Sequence, residues 1–531
     1  MRRAVLFALV LFAPAVAQDP PNPIDASLER LWTERGVAPA AISDDSEFLR
    51  RVTLDLAGEI PTPDEIRAFL KSKDPDKRTK RIDALLTSDA FLDFWSHRVT
   101  NALLGYSRDF EYLTNRRGFH EWVRKQLAED RGWDRIASDV LTASGDARKK
   151  PEVSFLAQFL EFGEDGRKYG LKIEEMTGKI ATTFLGLRLR CAQCHDHPFD
   201  RYTQEDFFGV VGFFQRTGAV AAQADAQPQG GLAVRTFRDP VGYKFEHWKG
   251  DLAPRFLDSR PPETENLRVE FTEVVVAHDQ FARAFANRMW AYLFGRGLVE
   301  PYDDFSPKNR PVAPELMEDL VGVARSRNFS VRAMVRTIVT SNAYQRTSRA
   351  TAGQDGALQE KFFARSRTRP LAPEQLWNAI DRATGLKNAD LDWKAVRRLA
   401  GAQQAQMGER STYEMLRGWF LGMLVRTSNP DAPANLGQYS ANVQQVLYAM
   451  NAEGPIWAGI RSKGSGLLDK LLLYQDDPDV ILEQLFLSTL GRLPSEKERD
   501  RCRKHQAGRG EKGYENVFWA LLNTDEFIFN H

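Results

Sequence analysis

The chain has 531 residues, of which 42% are hydrophobic and 11% aromatic, so it is too apolar to be disordered and is long enough for several globular domains. Its 73 Lys and Arg residues balance its 72 Asp and Glu residues, and the net charge of +1 argues against a nucleic-acid-binding protein, which needs a basic surface. Three cysteines are too few for a disulfide-rich scaffold.

The N-terminus has the pattern of a signal peptide. Two arginines precede the apolar run 4–13, which is too short to span a bilayer, and Ala15, Val16 and Ala17 form a small-residue cleavage site. We therefore predict that residues 1–17 are removed on export. The expected location is periplasmic or extracellular, with no membrane span in the mature chain. The alternative is that this run is retained as an anchor.

Most of the following segments predict amphipathic helices. Thr62, Pro63 and Glu65 combine an N-cap, a proline at the first helical position and a glutamate at the third, which is a helix-start pattern. Ser495 and Glu498 repeat this pattern near the C-terminus. Helical periodicity runs through several further segments: 81–104, 119–127, 173–187 and 281–294.

Cys191, Cys194 and His195 form a Cys-x-x-Cys-His motif, which is typical of covalent c-type haem attachment. Two thiols at this spacing can form thioethers to the two vinyl groups of haem, and the adjacent imidazole can bind the iron. Such attachment takes place outside the cytoplasm, in agreement with the predicted signal peptide. We therefore expect a haem c bound by these three residues.

Two other interpretations of the motif remain open. Cys191 and Cys194 could bind zinc together with His197 or Asp200, or they could form a local disulfide. In the haem interpretation His195 is the iron ligand. His197, only two residues away, cannot reach the opposite face of the ring, so His197 and Asp200 are candidates for supporting His195 or for holding a separate metal.

Aromatic side chains follow the motif, and they are equally consistent with a haem pocket and with ordinary helix core: Phe199, Tyr202, Phe207, Phe208, Phe213 and Phe214. Candidates for a distal iron ligand are Met176, His97 and His120, each of which has a plain structural alternative. The pair Asp303 and Asp304 is a candidate for metal or acid–base chemistry, although such a pair is more often a turn or a helix cap.

Residues 219–275 differ in amino-acid composition from the rest of the chain. An Ala-, Gln- and Gly-rich run is followed by short apolar runs broken by prolines, which predicts a linker with short strands. We expect a mainly α fold, with a helical domain at 18–218, this linker, and a second helical domain at 276–531.

The sequence contains an internal repeat, which we call the echo. Leu54–Glu65 matches Leu487–Glu498 in its pattern of Leu, Gly, Ile or Leu, Pro, Thr or Ser, and Glu. Each is followed about thirty residues later by a second match, Leu85–Phe91 and Leu521–Phe527, and Ile338–Tyr344 is related to both. The echo is either a recurring recognition unit or a duplicated helix–turn–helix packing unit. The shared residues are caps, turns and core positions, which favours the packing unit.

These segments together resemble a known family. The runs "LRRVTLDLAGEIPTPDEI", "WVRKQLAED" and "CAQCHDHPFDRYTQEDFFGVVGFF" in the first half, and "FARAFANRMWAYLFGRGLVEPYDDF", "MVRTIVTSNAYQ", "RPLAPEQLWNAI" and "WALLNTDEFIFNH" in the second, carry the resemblance. The chain is similar to secreted cytochrome-like proteins of planctomycetes, in which a cytochrome-like domain of unknown function precedes a planctomycete secreted domain of unknown function.

The resemblance implies a secreted haem-c-like protein acting in electron transfer or haem-assisted redox chemistry, with a redox partner or a secreted enzyme as its partner. Many relatives carry a further N-terminal cytochrome domain, whereas residues 18–190 contain no cysteine, so we expect a single haem. The alternative is a non-redox secreted protein whose Cys, His and Asp residues bind a metal or stabilise an interaction surface.

Overall fold

The computed structural model describes residues 22–105, 114–162, 169–221, 232–257, 261–389, 412–427, 460–463 and 465–531. The predicted signal peptide, 1–17, lies outside these ranges. Among the helices of the described ranges, none combines the length and the apolar character needed to cross a bilayer.

The helices before residue 219 are α1 (Pro23–Arg35), α2 (Asp45–Ala57), α3 (Pro63–Lys71), α4 (Lys77–Leu86), α5 (Asp89–Leu104), α6 (Arg116–Ala128), α7 (Trp133–Thr142), α8 (Ser154–Ala157), α9 (Ile173–Ile180) and α10 (Gln204–Gly212). The π-helical turn Ala181–Leu185 extends α9. Two 3-10 turns, Pro151–Val153 and Leu189–Ala192, precede α8 and α10 respectively.

The strands are short: β1 (Gly145–Asp146), β2 (Leu160–Phe162), β3 (Tyr169–Leu171), β4 (Thr217–Ala221), β5 (Leu232–Thr236), β6 (Arg369–Pro370) and β7 (Phe529–Asn530). β1, β5 and β4 form an antiparallel sheet in that order, in which Thr217 pairs with Thr236 and Gly145 with Val234. Residues 219–275 therefore contribute β5, at one of their apolar runs, and part of β4, which lies in the Ala-, Gln- and Gly-rich run that was expected to be a loop.

A helix, α11 (Leu267–Ala277), begins inside residues 219–275, where only a linker with short strands was expected. It is followed by α12 (Asp279–Phe294), α13 (Pro314–Ser326), α14 (Val331–Val339), α15 (Gly356–Lys361), α16 (Pro373–Thr384), α17 (Thr412–Thr427), α18 (Leu467–Tyr474), α19 (Pro478–Leu490), α20 (Glu496–Gln506), α21 (Glu511–Leu522) and α22 (Asp525–Ile528). The predicted fold class is confirmed: the protein is mainly α, with two helical domains and a short irregular connection that contains strands.

Two hydrophobic cores hold these helices together. The first extends from Ile24 to Ala364 and includes helices on both sides of residues 219–275. The second is built from α16 to α22 around the fully buried Trp377. Burial of apolar side chains on helix faces is the main source of stability in such a fold.

Each core contains side chains from a segment whose other residues pack in the other core. Leu54 and Ile60, from the end of α2 and the turn that follows it, pack in the second core, while Leu487 of α19 packs in the first. Leu54 and Leu487 are the opening residues of the two matching segments in the sequence. The duplicated segments thus lie where the two cores meet.

The duplicated segments form the helix–turn–helix units expected from the echo. Pro61 and Pro494 both lie in the turns between helices, and Phe91 and Phe527 are both buried, each with 1% of its surface exposed. Most of the shared residues have a capping or packing role, which favours the packing interpretation of the echo, although Leu493 is 47% exposed whereas the matching Ile60 is buried.

Candidate functional site

The Cys-x-x-Cys-His segment follows a sharp change of direction after α9. The π-helical turn that extends α9 ends at Gly186, whose φ of 64° favours glycine. A Cβ at Gly186 would lie 2.6 Å from a ring carbon of Phe305, so glycine is also needed for space. The Phe305 N–H donates to the Gly186 carbonyl at 2.9 Å. This contact holds the segment close to the loop after α12.

The three residues expected to bind haem are accessible. Cys191 lies in the 3-10 turn Leu189–Ala192, and Cys194 and His195 lie in the turns that follow; all three are exposed. The two thiols are free rather than joined in a disulfide. The structure therefore brings both thiols and the imidazole into one short surface loop, where a cofactor can reach them.

The hydrogen bond made by His195 determines which ring nitrogen is available as a ligand. Its Nδ1 lies 2.7 Å from the carbonyl oxygen of Asp196. A carbonyl only accepts, so Nδ1 carries the proton and donates. In the neutral imidazole the lone pair is then on Nε2, as in most metal-binding histidines, whose other nitrogen donates to a carbonyl or carboxylate. His195 is thus in the tautomer that a metal-binding histidine needs.

His197 has the opposite arrangement. Its Nδ1 accepts a hydrogen bond from the Phe199 N–H at 3.2 Å, so in the neutral ring the proton is on Nε2. Asp200 accepts from the Arg201 N–H at 2.7 Å. No group of three or more His, Cys, Asp or Glu side chains in the described part of the chain is arranged to hold a metal ion. The structure therefore does not assemble His195, His197 and Asp200 into one site.

Gln204, at the start of α10, forms hydrogen bonds that hold the Cys-x-x-Cys-His segment in place. Its side-chain amide donates to the carbonyls of Gln193 and His247, at 3.0 and 2.9 Å. Its backbone N–H donates to the Asp196 carboxylate at 2.9 Å, where a negative charge is favourable at a helix N-terminus. Sequence reasoning missed Gln204, since a lone glutamine after a threonine cap gives no signal for such a role.

The aromatic residues after the motif are mostly core. Phe207, Phe208, Phe213 and Phe214 have no more than 2% of their surface exposed. Phe199, by contrast, is 62% exposed, with the Lys308 ammonium 3.6 Å from its ring centroid. The donor set of two thiols and one imidazole thus fits covalent haem attachment, but the four buried rings line the first core and not a haem pocket.

Arg188 connects the segment to the pair Asp303 and Asp304. Its guanidinium lies 3.0 Å from Asp303 and 3.6 Å from Asp304. Burial lowers the pKa of Arg188, but the hydrogen bond to Asp303 and the charges of Asp304 and Cys191 outweigh it and raise the pKa overall. The two aspartates are therefore ion-pair partners of an arginine next to the motif, a role that the sequence did not reveal.

The three candidates for a distal ligand lie elsewhere. Met176, on α9, is fully buried in the first core. His97 and His120, on α5 and α6, face each other with their ring centroids 4.0 Å apart, and His120 Nε2 lies 2.8 Å from the hydroxyl of Ser96. All three therefore have the plain structural environments that were their alternatives.

The comparisons with known proteins divide the chain in two. Residues 23–219, which include the Cys-x-x-Cys-His motif, match the family model PSCyt2, described as a protein of unknown function (DUF1549). Residues 268–506 match the family model PSD1, also described as a protein of unknown function (DUF1553). No curated protein and no solved structure matches the chain. The chain therefore contains a DUF1549 domain followed by a DUF1553 domain, both planctomycete-type domains of unknown function.

Proposed function

We propose that this is a secreted protein that carries a covalently bound haem c on Cys191 and Cys194, whose iron His195 Nε2 would bind, and that it acts in electron transfer or haem-assisted redox chemistry. The observation that carries the proposal is the tautomer of His195, whose Nδ1 donates to the Asp196 carbonyl and leaves Nε2 for a metal. A bound haem would supply an iron centre that exchanges single electrons.

The two cysteines suit the attachment step. Each thiol would add across one vinyl group, forming a carbon–sulfur bond while the thiol hydrogen goes to the neighbouring vinyl carbon, so no oxidant is required. Both thiols are free and exposed, which this addition needs. Gln204 holds the Gln193 carbonyl before Cys194 and the Asp196 carboxylate after it.

The test begins with the protein exported from a host that matures c-type cytochromes. We expect a Soret band and a colour that survives denaturation, since thioether bonds persist in the unfolded chain. Replacing Cys191 and Cys194 together by Ala should abolish this covalent colour. A colourless wild-type protein with stoichiometric zinc would overturn the proposal and support the metal-binding alternative.

Two histidine variants give a matched comparison. His195→Ala should shift the spectrum, because the nitrogen that would bind the iron is lost, whereas His197→Ala should leave it unchanged, because the lone pair of His197 Nδ1 is already engaged by the Phe199 N–H. The same spectral shift in both variants, or in neither, would contradict the assignment of His195 as the ligand.

A further inference from the structure

A groove lies between α12, α13 and the loop that joins these two helices. Its volume is about 480 Å³, within the range of roughly 300–1,000 Å³ that is common for small-molecule sites. Both helices and the loop contribute to its lining, which includes Arg283, Phe305, Ser306, Arg310, Glu315 and Met317. These side chains therefore surround one common space, which opens to the solvent.

The inner part of the lining is apolar. Met317 of α13 has 1% of its surface exposed, and the ring of the half-buried Phe305 packs against Gly186. Pro311 and Pro314 add apolar surface nearer to the solvent. A ligand with an apolar body can therefore remove this surface from water, which favours binding.

Hydrogen bonds hold the loop side of the groove in place. The Phe305 N–H donates to the Gly186 carbonyl at 2.9 Å, and the Asn309 side-chain amide donates to the Asp304 carbonyl at 3.1 Å. Both Phe305 and Asn309 line the groove. The space is thus formed before any ligand arrives, which lowers the entropic cost of binding.

The charges of the lining indicate the sign of the ligand. Glu315 pairs with Arg30, and Glu318 pairs with Arg283, each at 2.9 Å, so both carboxylates are compensated. Arg310 is exposed and forms no ion pair within the described part of the chain. The charge of the lining that remains without a partner there is therefore positive, and it favours an anionic group on the ligand.

We propose that this groove binds a small molecule that combines an apolar body with one anionic group, such as a carboxylate. The apolar body lies against Phe305 and Met317, and the anionic group accepts hydrogen bonds from the Arg310 guanidinium. Lys308, which is exposed and precedes Arg310 by two residues on the same loop, adds a second positive charge. The proposal goes beyond haem attachment, because the Cys-x-x-Cys-His segment does not line the groove.

The test measures the binding of 2-naphthoate and decanoate to the purified protein by equilibrium dialysis at low, constant ionic strength. We expect saturable binding of at least one of these anions. Preference for naphthoate would identify a flat aromatic ligand, and preference for decanoate an aliphatic one. The corresponding neutral amide, which keeps the apolar body and removes the charge, should bind roughly three- to tenfold more weakly.

Two variants and a matched control locate the binding. Arg310→Gln should weaken the anion by the same factor and leave the amide unchanged, because it removes only the charge. Ser306→Trp should abolish binding of both, because it fills the groove; the Ser306 hydroxyl has no hydrogen-bond partner among the described residues to lose. The control Arg327→Gln removes an exposed arginine directly after α13, which also lacks an ion pair in the described ranges, and should bind as the wild type does.

The absence of saturable binding for both anions would overturn the proposal, and so would equal affinities of the anion and its amide. Undiminished binding in Arg310→Gln and Ser306→Trp, or equal weakening in Arg327→Gln, would show that the anion does not bind in the groove. The variant without Cys191 and Cys194 should bind the anion as the wild type does, which separates this result from the haem proposal.

Discussion

His97 and His120 show how packing changes the chemistry of single residues. Their rings face each other at 4.0 Å between α5 and α6. Burial is the main cause that lowers the pKa of His97 to about 3, and the charges of His120, Arg417 and Arg116 act in the same direction. Burial also lowers the pKa of His120. The pair is therefore neutral at physiological pH.

This pair predicts acid sensitivity. The unfolded chain binds protons at His97 below pH 6.5, whereas the folded chain does so only near pH 3, so stability is complete above about pH 6.5 and falls as the pH decreases. We expect His97→Gln to reduce the loss of unfolding free energy between pH 7 and pH 5 by about 2 kcal/mol, measured by urea denaturation. The exposed His247→Gln serves as the control, and an equal loss in both variants would contradict the prediction.

At the motif itself, the sequence predicted His195 as the ligand from its place in the motif, but it did not predict the tautomer of either imidazole. The tautomers of His195 and His197, two positions apart, depend on hydrogen bonds that the motif does not specify. Their hydrogen-bond partners, the Asp196 carbonyl and the Phe199 N–H, distinguish them, and these depend on the local backbone. The same limit applied to the phenylalanines, whose spacing fitted core and pocket equally well.

At the scale of elements, the duplicated units are defined by their helix ends. α2 ends at Gly58 and α19 at Gly491, both in the left-handed conformation, with φ of 69° and 74°. At Gly58 a Cβ would lie 2.3 Å from the Phe94 ring, so the turn is also tightly packed. Capping boxes then start α3 and α20. Such caps depend on neighbouring residues, which is why sequence predicted them well.

A second shared feature is a hydroxyl that caps the next turn and places an aromatic ring in a core. Ser88, Ser341 and Thr524 accept hydrogen bonds from the N–H of Phe91, Tyr344 and Phe527, at 3.1, 3.2 and 3.3 Å. The three rings are almost completely buried. The related segment Ile338–Tyr344 is therefore a third example of this local structure.

The capping boxes give a prediction for the two units. Thr62→Ala and Ser495→Ala should each lower the unfolding free energy by about 1 kcal/mol, since each loses the side-chain acceptor of an N-terminal backbone N–H. Thr87→Ala, which removes an exposed hydroxyl after the end of α4, is the matched control and should cost less than about 0.5 kcal/mol. Equal effects of the three substitutions in denaturant titrations would show that the caps do not stabilise the helices.

Long-range pairing was less predictable than helix ends. Of the short apolar runs expected to form strands in residues 219–275, the run 233–237 largely coincides with β5, whereas the run 241–245 is irregular. β5 pairs with β1, almost ninety residues earlier in the chain, a partner that no local pattern could indicate. The sheet exists because the first core brings these segments together.

At the scale of the whole molecule, a buried polar network joins the two cores. Asp55 of α2 is fully buried and accepts hydrogen bonds from the Tyr344 hydroxyl at 2.8 Å and from Asn530 at 2.9 Å, and it forms an ion pair with Arg369. Arg51 donates to the carbonyls of Tyr344 and His531. Segments far apart in sequence thus meet at α2. Leu54 of α2 packs in the second core, whereas Leu487 of α19 packs in the first. Sequence reasoning placed Leu54 and Leu487 in matching units but gave no reason to pair Asp55 with residues more than 280 positions away.

The network predicts that Asp55→Ala is severely destabilising. Removing this fully buried carboxylate leaves the Arg369 guanidinium, whose side chain is only 15% exposed, without its partner; breaking a buried pair typically costs about 3–5 kcal/mol in unfolding free energy. Asp64→Ala, which removes a carboxylate that is 98% exposed beside Arg67, should cost less than about 1 kcal/mol.

The double variant Asp55→Ala/Arg369→Met identifies the cause of that loss. If the cost of Asp55→Ala comes from a buried, unpaired guanidinium, removal of Arg369 as well should recover a large part of the lost free energy, because both partners of the pair are then absent. Denaturant unfolding of the wild type, both single variants and the double variant measures this coupling. Additive losses would mean that Asp55 stabilises the junction through Tyr344 and Asn530 instead.

The Asp55→Ala variant should also show a local effect. Because Arg369 and Asn530 pair in the β6–β7 ladder, loss of Asp55 should expose the C-terminal strand to hydrogen exchange before the first core opens.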